Sequence, residues 1–196
     1  MRFLVCGWMI LCSYFLSLPL YGFEVNDVLC PDKVLINGHS LVLNGAGMRS
    51  HLVIPFYAAA LYLNAKSSDG DKIIEADELM SIRLKITSPV ISNTVVEKSI
   101  IKAFHNVMGG KIEPLQSEID SFIGLFKDSL KQGDNIDFIY LPDVGTKIIK
   151  NRKTLLIIKS LEFKKALFGI WLSHHSVQES LKNEMLGGTL ENPLFN

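Results

Sequence analysis

The chain has 196 residues, 20 basic against 20 acidic, with 48% hydrophobic residues and three cysteines. That balance gives no basic excess to attract nucleic acid and no acidic block to act as a metal sink. Two of the cysteines, Cys6 and Cys12, fall in the first two dozen residues. Cys30 is therefore alone in the remainder, and an intramolecular disulfide there is excluded.

Met1-Arg2-Phe3 carries one positive charge, and residues 4–18 are apolar with no charged group. This is the pattern of an export signal. The run of about 15 residues before Pro19 is shorter than the ~20 of a spanning helix, which favours a cleaved signal over an uncleaved anchor. Residues 1–22 are therefore expected to be a signal peptide and the location periplasmic. Residues 23–188 form one domain and residues 189–196 a loose tail. The remaining length of about 170 residues suits a single core.

Asn37-Gly38 lies between the apolar runs 33–36 and 39–43, which predicts a tight hairpin, because a primed turn needs positive φ at both central residues. Asn44-Gly45-Ala46-Gly47 follows, then an apolar run over 48–63 that reads as one strand. Its even-numbered residues from Leu52 to Tyr62 form the expected core face. Arg49, His51, Val53, Pro55, Tyr57, Ala59 and Leu61 take the other. A polar loop spans 66–71, a short helical turn 73–77, and 81–87 alternates as a one-sided strand.

Val96, Ile100, Ala103, Phe104 and Val107 share one helical stripe ended by Gly109-Gly110. A second stripe from Leu115 to Leu130 follows Pro114, which suits a first-turn position. Gly133-Asp134 leads into a strand over 136–141. Strands over 146–150 and 153–159 meet at Asn151-Arg152. Helices over 161–172 and 177–186 close the chain. Hairpin-joined strands with intervening helices predict an α+β domain, with helices layered on one face of an antiparallel sheet.

Several chemistries find no footing. Gly45-Ala46-Gly47 lacks the third glycine and the strand–turn–helix setting of a dinucleotide loop. No nucleophile elbow is present. His39, His51, His105, His174 and His175 show no i, i+4 pairing, so no metal site is expected. No cofactor is implied.

Asn44-Gly45-Ala46-Gly47-Met48-Arg49, followed by Phe56-Tyr57-Ala58-Ala59-Ala60-Leu61-Tyr62-Leu63, resembles the opening of the chalcone-isomerase-like family, in its exported bacterial branch. Gly133-Asp134, Tyr140-Leu141-Pro142, the 163–172 helix and Leu181 to Gly187 fit in order, so the likeness covers residues 30–187. It implies an open-faced β-sandwich: a large antiparallel sheet, helices over one side and a ligand cleft between. The family's ligand-facing arginine in Gly-x-Gly-x-Arg falls on Arg49. A guanidinium suits a carboxylate because it presents a rigid fork of donors and keeps its charge when partly desolvated. Where the plant isomerases place a threonine, a tyrosine and an asparagine, this chain has Tyr57, Val95 and Lys102. Valine cannot donate a proton. The resemblance therefore points to the non-catalytic relatives that bind fatty acids.

The ligand-binding candidates are Arg49, Tyr57 and Lys102. On the residues alone, Arg49 also fits a surface or ion-paired arginine and Tyr57 a core aromatic. Lys102 also fits a solvated helix face with Glu97, Lys98 and Asn106. Eight residues separate Arg49 from Tyr57, about 26 Å along a straight strand. They share one head group only if the chain bends, for which Pro55 is a candidate; otherwise the ligand is long. The leading expectation is a non-catalytic periplasmic binder of a fatty acid or similar apolar ligand with an acidic head. An intramolecular lyase is the alternative. An envelope interaction protein with a vestigial cleft, a buried, ion-paired Arg49 and no continuous cavity is the third reading.

Overall fold

The computed structural model describes residues 22–89, 92–126 and 130–188. The expected signal lies outside the described residues except for Gly22, which opens the first strand, and the expected tail lies wholly outside them. Turn chemistry sets the strand pairing. Strands β1 (Gly22–Val25) and β2 (Val28–Pro31) are joined by Asn26 and Asp27, at φ 45° and 64°. Asn37 and Gly38, at φ 49° and 84°, join β3 (Lys33–Ile36) to β4 (His39–His51). These are primed turns, whose twist matches that of the flanking strands. The β1–β2 hairpin was not expected from the sequence, although its Asn-Asp turn between short apolar runs is a signal of the same kind.

The long apolar run is not one strand. The chain reverses at Leu52 and Val53, and Ile54–Leu63 returns as β5, antiparallel to β4. Pro55 is not the reversal. It sits within β5 opposite Ser50 but adjoins a bulge: the register shifts between Arg49–Tyr57 and Ser50–Pro55 and leaves Phe56 without a β4 partner. After β5 come β6 (Met80–Ile86), β7 (Asn135–Leu141), β8 (Gly145–Lys150) and β9 (Lys153–Ile158). Strands β3 to β9 form one seven-stranded sheet in sequence order, every pair antiparallel. Asn151 and Arg152, both at positive φ, make the expected β8–β9 turn.

The helices pack on one face of this sheet. They are α1 (Gly70–Glu75), α2 (Asn93–Val107), α3 (Gln116–Gly124), α4 (Leu161–Leu172) and α5 (Glu179–Met185). Side chains of Asp69, Ser92 and Ser160 cap α1, α2 and α4 by accepting first-turn N–H groups, the usual service of such residues. From Phe163 to Leu172, α4 is buried on all but one residue, Lys165, as a helix in the centre of a layer must be. A run of rings joins the layers: Phe104–Phe122 at 6.0 Å, Phe122–Phe138 at 5.7 Å and Phe138–Trp171 at 5.6 Å. Among the described residues no helix is long and apolar enough to cross a membrane.

The helix-facing side of β5 carries Tyr57, Ala59, Leu61 and Leu63. This corrects the expectation that the even-numbered residues alone face the core. Ala58, Ala60 and Tyr62 are buried as well, but on the opposite face, under Val25 and Cys30 of the β1–β2 hairpin. Both faces of β5 are therefore covered, which explains why its run is continuously apolar rather than alternating.

Candidate functional site

Beyond Val42 no strand among the described residues pairs with the outer edge of β4, and α5 lies along it instead. The glycines make that possible. A Cβ on Gly45 would collide with the backbone carbonyls of Glu184 and Met185, and one on Gly47 would collide with the Glu184 side chain. Asn44, bulged out of register, fixes the same junction: its Nδ2 donates to Met185 O at 2.8 Å and Ser67 O at 2.9 Å, and its Oδ1 accepts from Ser67 N at 2.8 Å. The Asn-Gly-Ala-Gly stretch is thus a bed for a helix. Covering an edge with a helix also removes a template for unwanted pairing.

Along this edge the helix supplies polar partners. Met48 N donates to Glu184 Oε2 at 3.2 Å, and burial pushes the Glu184 carboxyl up against the opposing effect of that bond. Gln178, the residue before α5, accepts from Ser50 N at 3.1 Å and donates through Nε2 to Met48 O at 3.1 Å. Its Oε1 also accepts from Arg49 Nη1 at 2.8 Å, and the same Nη1 donates to Ser50 O at 2.5 Å. Arg49 is half-buried, and among the described residues no carboxylate lies within ion-pair distance of it.

The turn at Leu52 and Val53 makes Arg49 and Tyr57 direct partners across the β4–β5 ladder. Directly opposed residues of an antiparallel pair project to the same face, with Cβ atoms about 4.5–5.5 Å apart. The separation of about 26 Å expected for a straight strand does not exist. Tyr57 Oη accepts from Trp171 Nε1 at 3.1 Å, and Trp171 is buried in α4. Burial pushes the Tyr57 phenol up, with the Trp171 bond and the Arg49 charge pulling the other way. Tyr57 is therefore a neutral hydroxyl near neutral pH. Its oxygen is already accepting, and no acceptor for its own hydrogen lies among the described residues. A guanidinium and a free O–H on one face are the donor set for a carboxylate.

Lys102 is not brought to this pair. It lies on the exposed side of α2, whose buried residues are Ala103 and Phe104. Val95, in the first turn of α2, is 56% exposed. Sequence reasoning missed two contributors. Trp171 stood on an apolar helix stripe, where only the need of a buried indole N–H for a partner hinted at a polar contact. Gln178 carried no signal, since its role depends on where α5 docks. Two surface cavities stand out among the described residues. One, of about 280 Å³, lies between the β1–β2 hairpin and the outer sheet face, with Ala58, Ala60, Cys30 and Arg83 in its wall. The other, of about 660 Å³, lies among α1, α2 and α4. Neither is lined by Arg49, Tyr57 or Lys102. Among the described residues no group of three metal-type ligands is present.

The architecture is an α+β domain in which one face of an antiparallel meander carries the helices, with an Arg–Tyr donor pair at one end. The chain belongs to the chalcone isomerase-like family, whose profile matches residues 22–187. Among solved structures, the crystal structure of an Arabidopsis thaliana fatty-acid binding protein is similar in fold, with a TM-score of 0.60 and 18% sequence identity over 79% of this chain and 95% of that one. No curated protein is significantly similar in sequence.

Proposed function

We propose that this chain is a non-catalytic binder of an apolar ligand with an acidic head, a fatty acid or a close analogue, acting in the periplasm after export. The observation that carries the reading is the juxtaposition of Arg49 and Tyr57. One has no carboxylate partner among the described residues, and the other has a donor hydrogen to spare. Membership of the family and the likeness of fold to a fatty-acid binding protein support it. The acyl tail would lie beside Tyr57, whose neighbours are the apolar side chains between sheet and helices. A sheet-and-helix pocket for an apolar tail is built from such side chains.

Each rival reading has one observation for it and one against it. A lyase could use the Tyr57 hydroxyl beside Arg49, but the positions matched to the isomerases' remaining polar groups, Val95 and Lys102, are exposed on α2. The vestigial-cleft reading predicts a buried, ion-paired Arg49 and no continuous cavity. Neither of the two cavities described is lined by Arg49 or Tyr57, but Arg49 is half-buried with an amide partner in place of a carboxylate. The test is to titrate the purified protein with a long-chain fatty acid and with the methyl ester of the same tail. The acid should bind more tightly by about 1.5–3 kcal/mol, the scale of a charge-assisted hydrogen bond, and Arg49→Ala should erase the difference. Equal affinity for acid and ester would sink the head-group assignment.

A further inference from the structure

The β4–β5 turn carries an unusual burden. Leu52, Val53 and Ile54 are 87%, 93% and 54% exposed, three consecutive aliphatic side chains standing in solvent. Leu52 also sits at φ 55°, in the left-handed region that disfavours any bulky L-residue and that glycine or asparagine fills without strain. A leucine here costs the fold on two counts, backbone strain and exposed apolar area. An outlier of this kind is a pointer to function rather than to stability.

The surroundings say what the tip meets. From Arg49 to Tyr57 the chain contains no carboxylate. Arg49 lies three residues behind Leu52 in β4, about 10 Å along the strand. An interfacial element buries its apolar part ~5–10 Å deep at the headgroup–acyl boundary. A tip seated to that depth places Leu52, Val53 and Ile54 among acyl chains and holds Arg49 at the level of the anionic groups.

We propose that the β4–β5 hairpin tip inserts into a lipid bilayer surface, so that the Arg49–Tyr57 pair meets its acidic ligand at the membrane rather than in bulk water. This deepens the Arg49–Tyr57 reading by naming where the ligand is exchanged. The experiment is flotation of the purified protein with vesicles of phosphatidylcholine, alone or mixed with phosphatidylglycerol, using wild type, Leu52→Asn and Val53→Asp. Solution affinity for a fatty acid and Tm are measured on the same samples.

Wild type should float, more strongly with the anionic lipid, and each variant should lose about tenfold or more of the bound fraction. Leu52→Asn should keep its Tm or gain about 2–4 °C, because asparagine relieves the left-handed strain, and solution affinity should stay unchanged in both variants. Loss of flotation alongside an undiminished Tm separates membrane contact from misfolding. A wild type that binds fatty acid in solution but does not float overturns this inference alone, as do variants that float like wild type. A protein that floats but binds no fatty acid overturns the functional reading and leaves the insertion standing.

Discussion

Tyr57 does two things with one oxygen. It accepts from the buried Trp171 indole and, through its own hydrogen, offers a donor beside Arg49. Tyr57→Phe should therefore separate the roles: the Trp171 N–H is left unpaired in a buried site, which costs about 1–3 kcal/mol, and the acidic ligand loses one donor. Thermal unfolding reads the first effect and a fatty-acid titration the second. An unchanged Tm would mean that the indole has another partner. The residue scale is also where sequence reading came closest and then failed. Arg49 and Tyr57 were legible from motif and alternation, but their contact was not, because a turn built on Leu52 and Val53 contains none of the residues that mark turns. Where the turns used Asn-Gly or Asn-Arg, the hairpins were readable; Leu-Val carries no such signal.

Elements dock in this fold through small residues and buried polar joints. Gly45 is the sharper test of the two glycines facing α5, since its obstacle is helix backbone while that of Gly47 is a side chain able to rotate. Gly45→Ala should cost about 1–3 kcal/mol, as overpacking does. Hydrogen exchange should rise selectively over α5 and its Gln178 cap; uniform exchange would contradict the docking role. A second joint is Asp134, buried at the entry to β7. Burial raises its carboxyl, but the Lys131 N–H, the Asn151 amide and the Lys150 ammonium outweigh that and hold it below the usual carboxylate value of 3.8. A folded pKa below the unfolded one means stabilisation that is present above pH 3.8 and lost as pH falls through the folded value. Asp134→Ala should thus lower stability by about 1.5–3 kcal/mol at neutral pH, and the gap to wild type should narrow in acid. Denaturant midpoints measured at neutral pH and in strong acid check this; a gap independent of pH would contradict it. Element order and type were largely readable from periodicity and caps. The length of the second helical stripe was not: α3 ends at Gly124, and a turn over Glu113–Leu115 precedes it, so Pro114 serves a separate turn rather than the helix itself.

At the scale of the molecule, one lone cysteine remains in the described residues and is buried, so cohesion rests on packing and on a few fully satisfied polar centres. Lys164 is the deepest of these. Burial pulls it down to about 8, against the raising influence of Glu75 and Asp77, and its Nζ donates to Ile73 O, Ile74 O and Ala76 O at 3.0, 2.8 and 2.6 Å. The three bonds tie α4 to the end of α1, so Lys164→Met should destabilise by roughly 3 kcal/mol through the stranded carbonyls, read as a lower urea midpoint. The sheet that these centres support brings Arg49 and Tyr57 together at one end, and the functional account depends on that pair holding an acidic head group. The most direct measurement is mass spectrometry of lipid carried by protein recovered from the envelope, wild type beside Arg49→Ala, with both shown folded by circular dichroism. Fatty acid near one equivalent on the wild type and little on the variant is the expected result. Equal lipid on both, or none on either, would contradict it.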